Sequence, residues 1–116
     1  MALGRHKYDI IDELITMLNS SELYSQLGAC RAIKFQGARG AAEVPALLNT
    51  LQSDELWLRI LSSEALAGTG DPAKLAVPLM LERLAKTNSS DDPRKMEQRY
   101  LYFALFSKRN GLIGRS

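Results

Sequence analysis

Few residues in this 116-residue chain are of the types that do covalent chemistry. The single histidine is His6 and the single cysteine is Cys30. A metal site or a general base needs partners at fixed spacing, and no paired-His or His-Glu spacing exists, so His6 reads as a solvated residue near the terminus. Cys30 lies in an apolar run near Leu27 and Ile33, where a small buried side chain is expected rather than a nucleophile. One cysteine also rules out an internal disulfide framework and a multi-thiolate metal site. Gly68-Thr69-Gly70 is too short for a phosphate loop and reads as a helix corner. Gly37-Ala38-Arg39-Gly40 reads the same way, with a backbone anion nest as the alternative. No catalytic, cofactor-binding or metal-binding residue is therefore expected.

Residues suited to non-covalent recognition are easier to find. Trp57 opens a helical stretch beside Leu56 and Leu58, either packed at a repeat junction or standing as a stacking platform. Charge is uneven along the chain. Residues 1–92 carry nine Lys/Arg against twelve Asp/Glu, whereas residues 93–116 carry six against Glu97 alone. Arg94, Lys95, Arg99, Lys108 and Arg109 are thus candidate anion-binding residues, or solvated helix surface with a basic tail. Tyr100 to Phe106 is an unbroken apolar run, so a helix here is apolar on every side. Tyr100, Tyr102, Phe103 and Phe106 form a candidate exposed terminal face. It is to be covered by further repeats, another protein, a second copy of the chain or the returning tail at Leu112 and Ile113, unless the helix is central and wholly buried.

The elements that position these residues follow from a repeat. Shifting the sequence by 33 places Val44-Pro45 on Val77-Pro78, Leu47 on Met80, Leu48 on Leu81 and Leu51 on Leu84. The opposite shift reaches Ile11, Leu14, Ile15 and Leu18. All three segments show an i, i+3, i+4, i+7 apolar stripe, the face of an amphipathic helix. Between them, Leu23, Leu27, Ala32, Ile33 and Gly37 fall on Leu56, Ile60, Ala65, Leu66 and Gly70. A third copy needs an insertion around Lys86 to Asp92. Either Ala104-Leu105 then meets Ala65-Leu66, or a register one residue off brings Arg99 onto Arg59.

The expectation is an all-α chain of six helices, near 5–19, 21–36, 40–52, 54–68, 72–87 and 93–109. Starts are marked by Ser20-Ser21, Asp54, Asp71-Pro72 and Asp92-Pro93, and ends by Gly68 and Gly70, which can turn with positive φ. Thr87 to Asp92 reads as a polar loop. Composition agrees: 46% hydrophobic, 24% charged and only 7% aromatic. Residues 1–116 read as one domain, a module of a longer chain. The first residues lack a signal-peptide apolar run and no stretch reaches membrane-spanning length, so a cytoplasmic protein with no membrane contact is the default.

Glu64-Ala65-Leu66, Gly70-Asp71-Pro72 and Val77-Pro78-Leu79, with Leu58-Arg59 before them, resemble HEAT repeats. They are most similar to the short phycobilisome-lyase-type HEAT-like repeats. The resemblance covers residues 8–86 well and 93–106 loosely. It implies an α-solenoid of about three stacked helix pairs in a right-handed superhelical stack. Periodicity points there too, because a unit of about 33 residues cannot bury its stripe alone. The chain begins on a second-type helix and ends on a first-type one, and the resemblance also suggests that the second-type helices, near 5–19, 40–52 and 72–87, line the concave side. That places Glu13, Thr16, Met17, Asn49, Thr50, Leu79, Glu82 and Arg83 on the outward ladders, as plain solvated surface or as a shallow groove for a protein or peptide. The di-iron hydroxylase branch of HEAT proteins depends on His-Glu pairs that this chain lacks.

A non-catalytic protein-binding or scaffolding module is the leading expectation, an inference from architecture. Nucleic-acid or polyanion binding through the basic segment is the alternative. Chromophore-lyase-like activity is the third.

Overall fold

Apolar stripes at helical spacing need neighbours to exclude water, and the chain supplies them by folding back on itself at every corner. The computed structural model describes residues 7–87 and 91–113. His6, Arg115 and the middle of the loop expected at 87–92 lie outside the described residues. The elements are α1 (Lys7–Leu18), α2 (Leu23–Gln36), a 3-10 segment η1 (Gly37–Glu43), α3 (Val44–Thr50), α4 (Leu56–Thr69), η2 (Asp71–Ala76, also 3-10), α5 (Val77–Lys86) and α6 (Met96–Phe106). Helix is the regular structure of the described residues, with turns between the elements and no strand among them.

The 33-residue shift is a shift of geometry as well as of letters. Gly37 ends α2 with φ 61° and ψ −138°, and Gly70 ends α4 with φ 79° and ψ −138°, a backbone conformation that only glycine adopts cheaply. Before α2 the Glu22 N–H donates to Ser20 Oγ, and before α4 the Glu55 N–H donates to Ser53 Oγ, both at 3.0 Å. Glu22 and Glu55 share an extended backbone at the two helix starts.

Several boundaries differ from the sequence expectation. The helices expected from 40 and from 72 begin as α-helix only at Val44 and Val77. Pro45 and Pro78 have no N–H to give to a carbonyl one turn back, so the preceding residues close instead as 3-10 turns. Gly70, not Asp71, holds the cap position of η2. Gly68 does not turn; it lies inside α4, and a Cβ there would stand 3.0 Å from the Lys34 carbonyl of α2. It lets the two helices approach. The last helix begins at Met96 rather than 93, because both carboxylate oxygens of Asp92 accept from the Met96 and Glu97 N–H groups (2.7 and 2.8 Å) and hold residues 92–95 in a capping turn. It ends at Phe106 rather than 109. The tail then returns, with the Leu112 and Ile113 N–H groups donating to the Ala104 and Leu105 carbonyls.

α4 packs between α2 and α6, while α1 lies on α2, α3 on α4 and α5 on α6. Leu18, Ile33, Leu47, Leu51, Leu66, Met80, Leu101 and Leu105 are fully buried between these two layers. The molecule is correspondingly flat, 51 × 35 × 19 Å. Of the expected α5 stripe, Met80 is buried and Val77 and Leu84 lie against the core. Leu81 is exposed, because the neighbours of α5 among the described residues, α6 and η2, leave that flank uncovered.

Buried Ala104 and Leu105 take the places in α6 that Ala65 and Leu66 hold in α4. Arg99 is exposed and does not share the place of buried Arg59. This burial pattern fits the register that sets Ala104-Leu105 on Ala65-Leu66.

Candidate functional surface along the last helix

The four buried positions Glu97, Leu101, Ala104 and Leu105 face α4 and α5, and they leave the opposite flank of α6 uncovered. Phe103 is 67% exposed, Tyr102 51% and Phe106 41%, with Tyr100 half-buried. The Tyr102 and Phe106 rings lie 5.6 Å apart at a 46° tilt. In the returning tail Gly111 and Leu112 are buried, while Ile113 is exposed. Of the four rings of the candidate terminal face, Tyr102, Phe103 and Phe106 are thus exposed, while Tyr100 is half-buried and lines a groove.

That groove, about 670 Å³, runs between α4 and α6. Ala67, Gly68 and Ala104 are small enough to leave it open, Tyr100 and Phe103 wall one side, and Lys34 and Glu64 stand on the other. Lys34 and Glu64 pair at 3.2 Å, a partly exposed contact that links α2 to α4. A second, shallower hollow of about 650 Å³ lies on the far side of Arg99 and Phe103, between Arg94, Lys95, Tyr102 and Phe106. Arg99 and Phe103 thus form a ridge bordering both.

Arg94, Lys95, Arg99, Lys108 and Arg109 are all exposed. Among the described residues, none of the five forms an ion pair. The one acid in this part of the chain is spent elsewhere. Glu97 is fully buried and accepts from Arg59 Nε at 3.0 Å and from Arg83 Nε at 2.7 Å. Arg59 also donates to Asp91 Oδ2 at 2.7 Å and to the Ser53 carbonyl at 2.9 Å. Burial works against the charge of Arg59, yet its bonds to Glu97 and Asp91 outweigh this and hold its pKa above the ordinary value.

This node corrects one expectation: Arg83 is engaged inward rather than offered to a partner. Thr50 is also buried, with its hydroxyl donating to the Leu47 carbonyl and 2.6 Å from Ser62 Oγ. Met17 and Leu79 pack on the core. Of the outward ladders only Glu13, Thr16, Asn49 and Glu82 are exposed. The row expected to line a concave surface is thus interrupted by residues that face the core.

Trp57 is half-exposed at the start of α4. Sequence reasoning passed over Tyr24 and Phe35, which are 80% and 81% exposed on α2. The signal was present for Tyr24, since the 33-residue shift sets it on Trp57.

Inside the molecule, burial raises the Cys30 thiol to about 11, against which its contacts to Ser62 and Thr50 work only weakly, so little thiolate forms at neutral pH. Burial also lifts Glu43 to about 7. In the amide orientation that satisfies both side chains, Gln36 donates to its two oxygens at 3.0 and 3.3 Å. No group of three His, Cys, Asp or Glu among the described residues could hold a metal ion, and no helix among them is long and apolar enough to cross a membrane. Compared with models of known protein families, with curated proteins and with solved structures, the chain gives no match.

Proposed function

We propose that this chain is a HEAT-like α-solenoid module that binds a protein or peptide without covalent chemistry. Support for the stack comes from the recurring corners at Gly37 and Gly70, the recurring serine turns at Ser20 and Ser53, and the alternation of helices between two layers. The observation that carries the binding role is the aromatic-walled groove between α4 and α6, continuous over the Phe103 ridge with the uncovered flank of α6. A concave apolar strip with a few polar groups at its margin suits a partner's side chains. A solvated helix has no such use for three exposed aromatic rings within five residues.

The test is a selection of random peptides on the immobilised chain, followed by fluorescence anisotropy on those enriched. Binders with dissociation constants around the micromolar range are expected. They should weaken about tenfold on Phe103→Ala or Tyr100→Ala, as for anchor-lining residues. Enrichment no greater than on the bare support, or binders indifferent to both substitutions, would end this reading.

A further inference from the structure

Resting on that peptide-binding reading, we infer that the flank of α6 takes an acidic amphipathic helix. Charge selects the sign of the partner. Arg94, Lys95 and Arg99 stand at the amino-terminal end of the aromatic strip, Lys108 and Arg109 at the carboxy-terminal end, and none is ion-paired among the described residues. α6 itself is 11 residues long, about 16 Å, with Lys95 just before its start and Lys108 just beyond its end. A partner of about four turns, apolar on one face and bearing Asp or Glu toward both ends, would match cation for anion and ring for aliphatic side chain.

The same charges disfavour a second copy of this chain as occupant. Packed antiparallel along α6, two copies would set Arg94 and Lys95 against Lys108 and Arg109; packed parallel, each cation would meet itself. Glu97 offers no relief, being buried under Arg59 and Arg83. Like charges brought together with no acid between them oppose association.

Helical form follows from the backbone. The N–H and C=O groups of α6 are occupied in its own ladder, and the carbonyls of Ala104 and Leu105 also accept from the returning tail. An extended strand laid on this flank would bury its own amides without partners, whereas a helix arrives with them satisfied. A single-stranded polynucleotide would meet the cations too. It would want open ring faces to stack upon, and Tyr102 and Phe106 are instead tilted against each other.

The probe is a fluorescein-labelled synthetic helix of about 18 residues with Leu and Phe on one face and Asp and Glu toward its ends. Its comparisons are the same residues in scrambled order, the same helix with Lys for each acid, and an oligouridylate of similar length, all read by anisotropy at low and moderate salt. The acidic helix should bind about tenfold or more tightly than its scramble and weaken as salt rises. Arg94→Glu with Arg99→Glu should weaken it about tenfold, as should Phe103→Ala, with Tyr102→Ala as the second aromatic variant. Lys74→Glu on η2 should leave it unchanged. Circular dichroism establishes that each variant is folded before its titration is read.

Equal binding of the scramble, tighter binding of the oligouridylate, preference for the Lys helix, or self-association of the chain that masks α6 would each overturn the proposal. A neutral peptide from the selection that binds through Phe103 but ignores Arg94 and Arg99 would overturn the acidic partner and leave the peptide-binding reading standing.

Discussion

Replacing Glu97 by glutamine should be among the most damaging single changes in the chain. Glu97 is fully buried and is the shared acceptor of two guanidinium groups, Arg59 on α4 and Arg83 on α5. Glutamine is almost the same size, so packing is kept while the charge goes. Arg59 is only 3% exposed and would be left with Asp91, which is itself half in water. Breaking a buried ion pair from one side costs about 3–5 kcal/mol, because the remaining charge has lost its hydration without compensation. Arg83 is less deeply buried and can turn toward solvent, which favours the lower end, about 3 kcal/mol. That is a large share of the roughly 5–15 kcal/mol that stabilises a domain. In urea the midpoint should fall by roughly 1–3 M, given a slope of about 1–3 kcal/mol per molar. The double change Arg59→Met with Glu97→Leu should cost less than Glu97→Gln alone, since it removes both buried charges. A loss below about 1 kcal/mol for Glu97→Gln, or a double variant weaker than the single, would refute the claim that this node binds the last helix to the rest.

Glu43 makes the stability depend on pH in the direction opposite to an ordinary salt-bridged carboxylate. With its folded pKa lifted from 4.5 to about 7, the folded chain keeps a proton that the unfolded chain has already lost. Its favourable contribution is whole below about pH 4.5 and is lost as pH rises toward 7, a decline on the order of 2–3 kcal/mol. Glu43→Gln should flatten that decline in denaturation series from about pH 5 to about pH 8; parallel curves for the two proteins would sink the assignment. Leu66→Ala, at a fully buried site on α4, should cost about 2–5 kcal/mol on chemical denaturation, and a loss under about 1 kcal/mol would remove Leu66 from the core.

What could be read from the letters was whatever repeats. Gly37 and Gly70, Ser20 and Ser53, Val44 and Val77 answer to the same local rule twice, and a shift of 33 exposes them without knowledge of the fold. The helix starts at 44 and 77 were visible in Pro45 and Pro78, although the acidic and glycine signals upstream pointed earlier. Contacts between copies were hidden. Nothing local in Arg83 or Glu97 says that they meet, fourteen residues apart across an insertion, and Arg83 therefore looked free. Thr50 likewise looked polar and outward until Ser62 of α4 stood beside it. The candidate surface was half-legible: the seven-residue apolar run announced a problem on α6, but which of its rings would face water depended on how far α4 and the tail wrapped it.

The flat layering has a mechanical consequence. Within its layer only α4 is gripped on both sides, by α2 and by α6. Local opening is favoured at the outer helices of such a row, each packed in it from one side, over the helix between them. The exposed flank of α6 lies on an outer helix of this row, held by its buried Leu101, Ala104 and Leu105, by the Glu97 node and by the returning tail. A ligand seated on the proposed flank would act as a further neighbour, and its grip would be felt chiefly as a quieting of α6 while α1 and α2 stayed as they were.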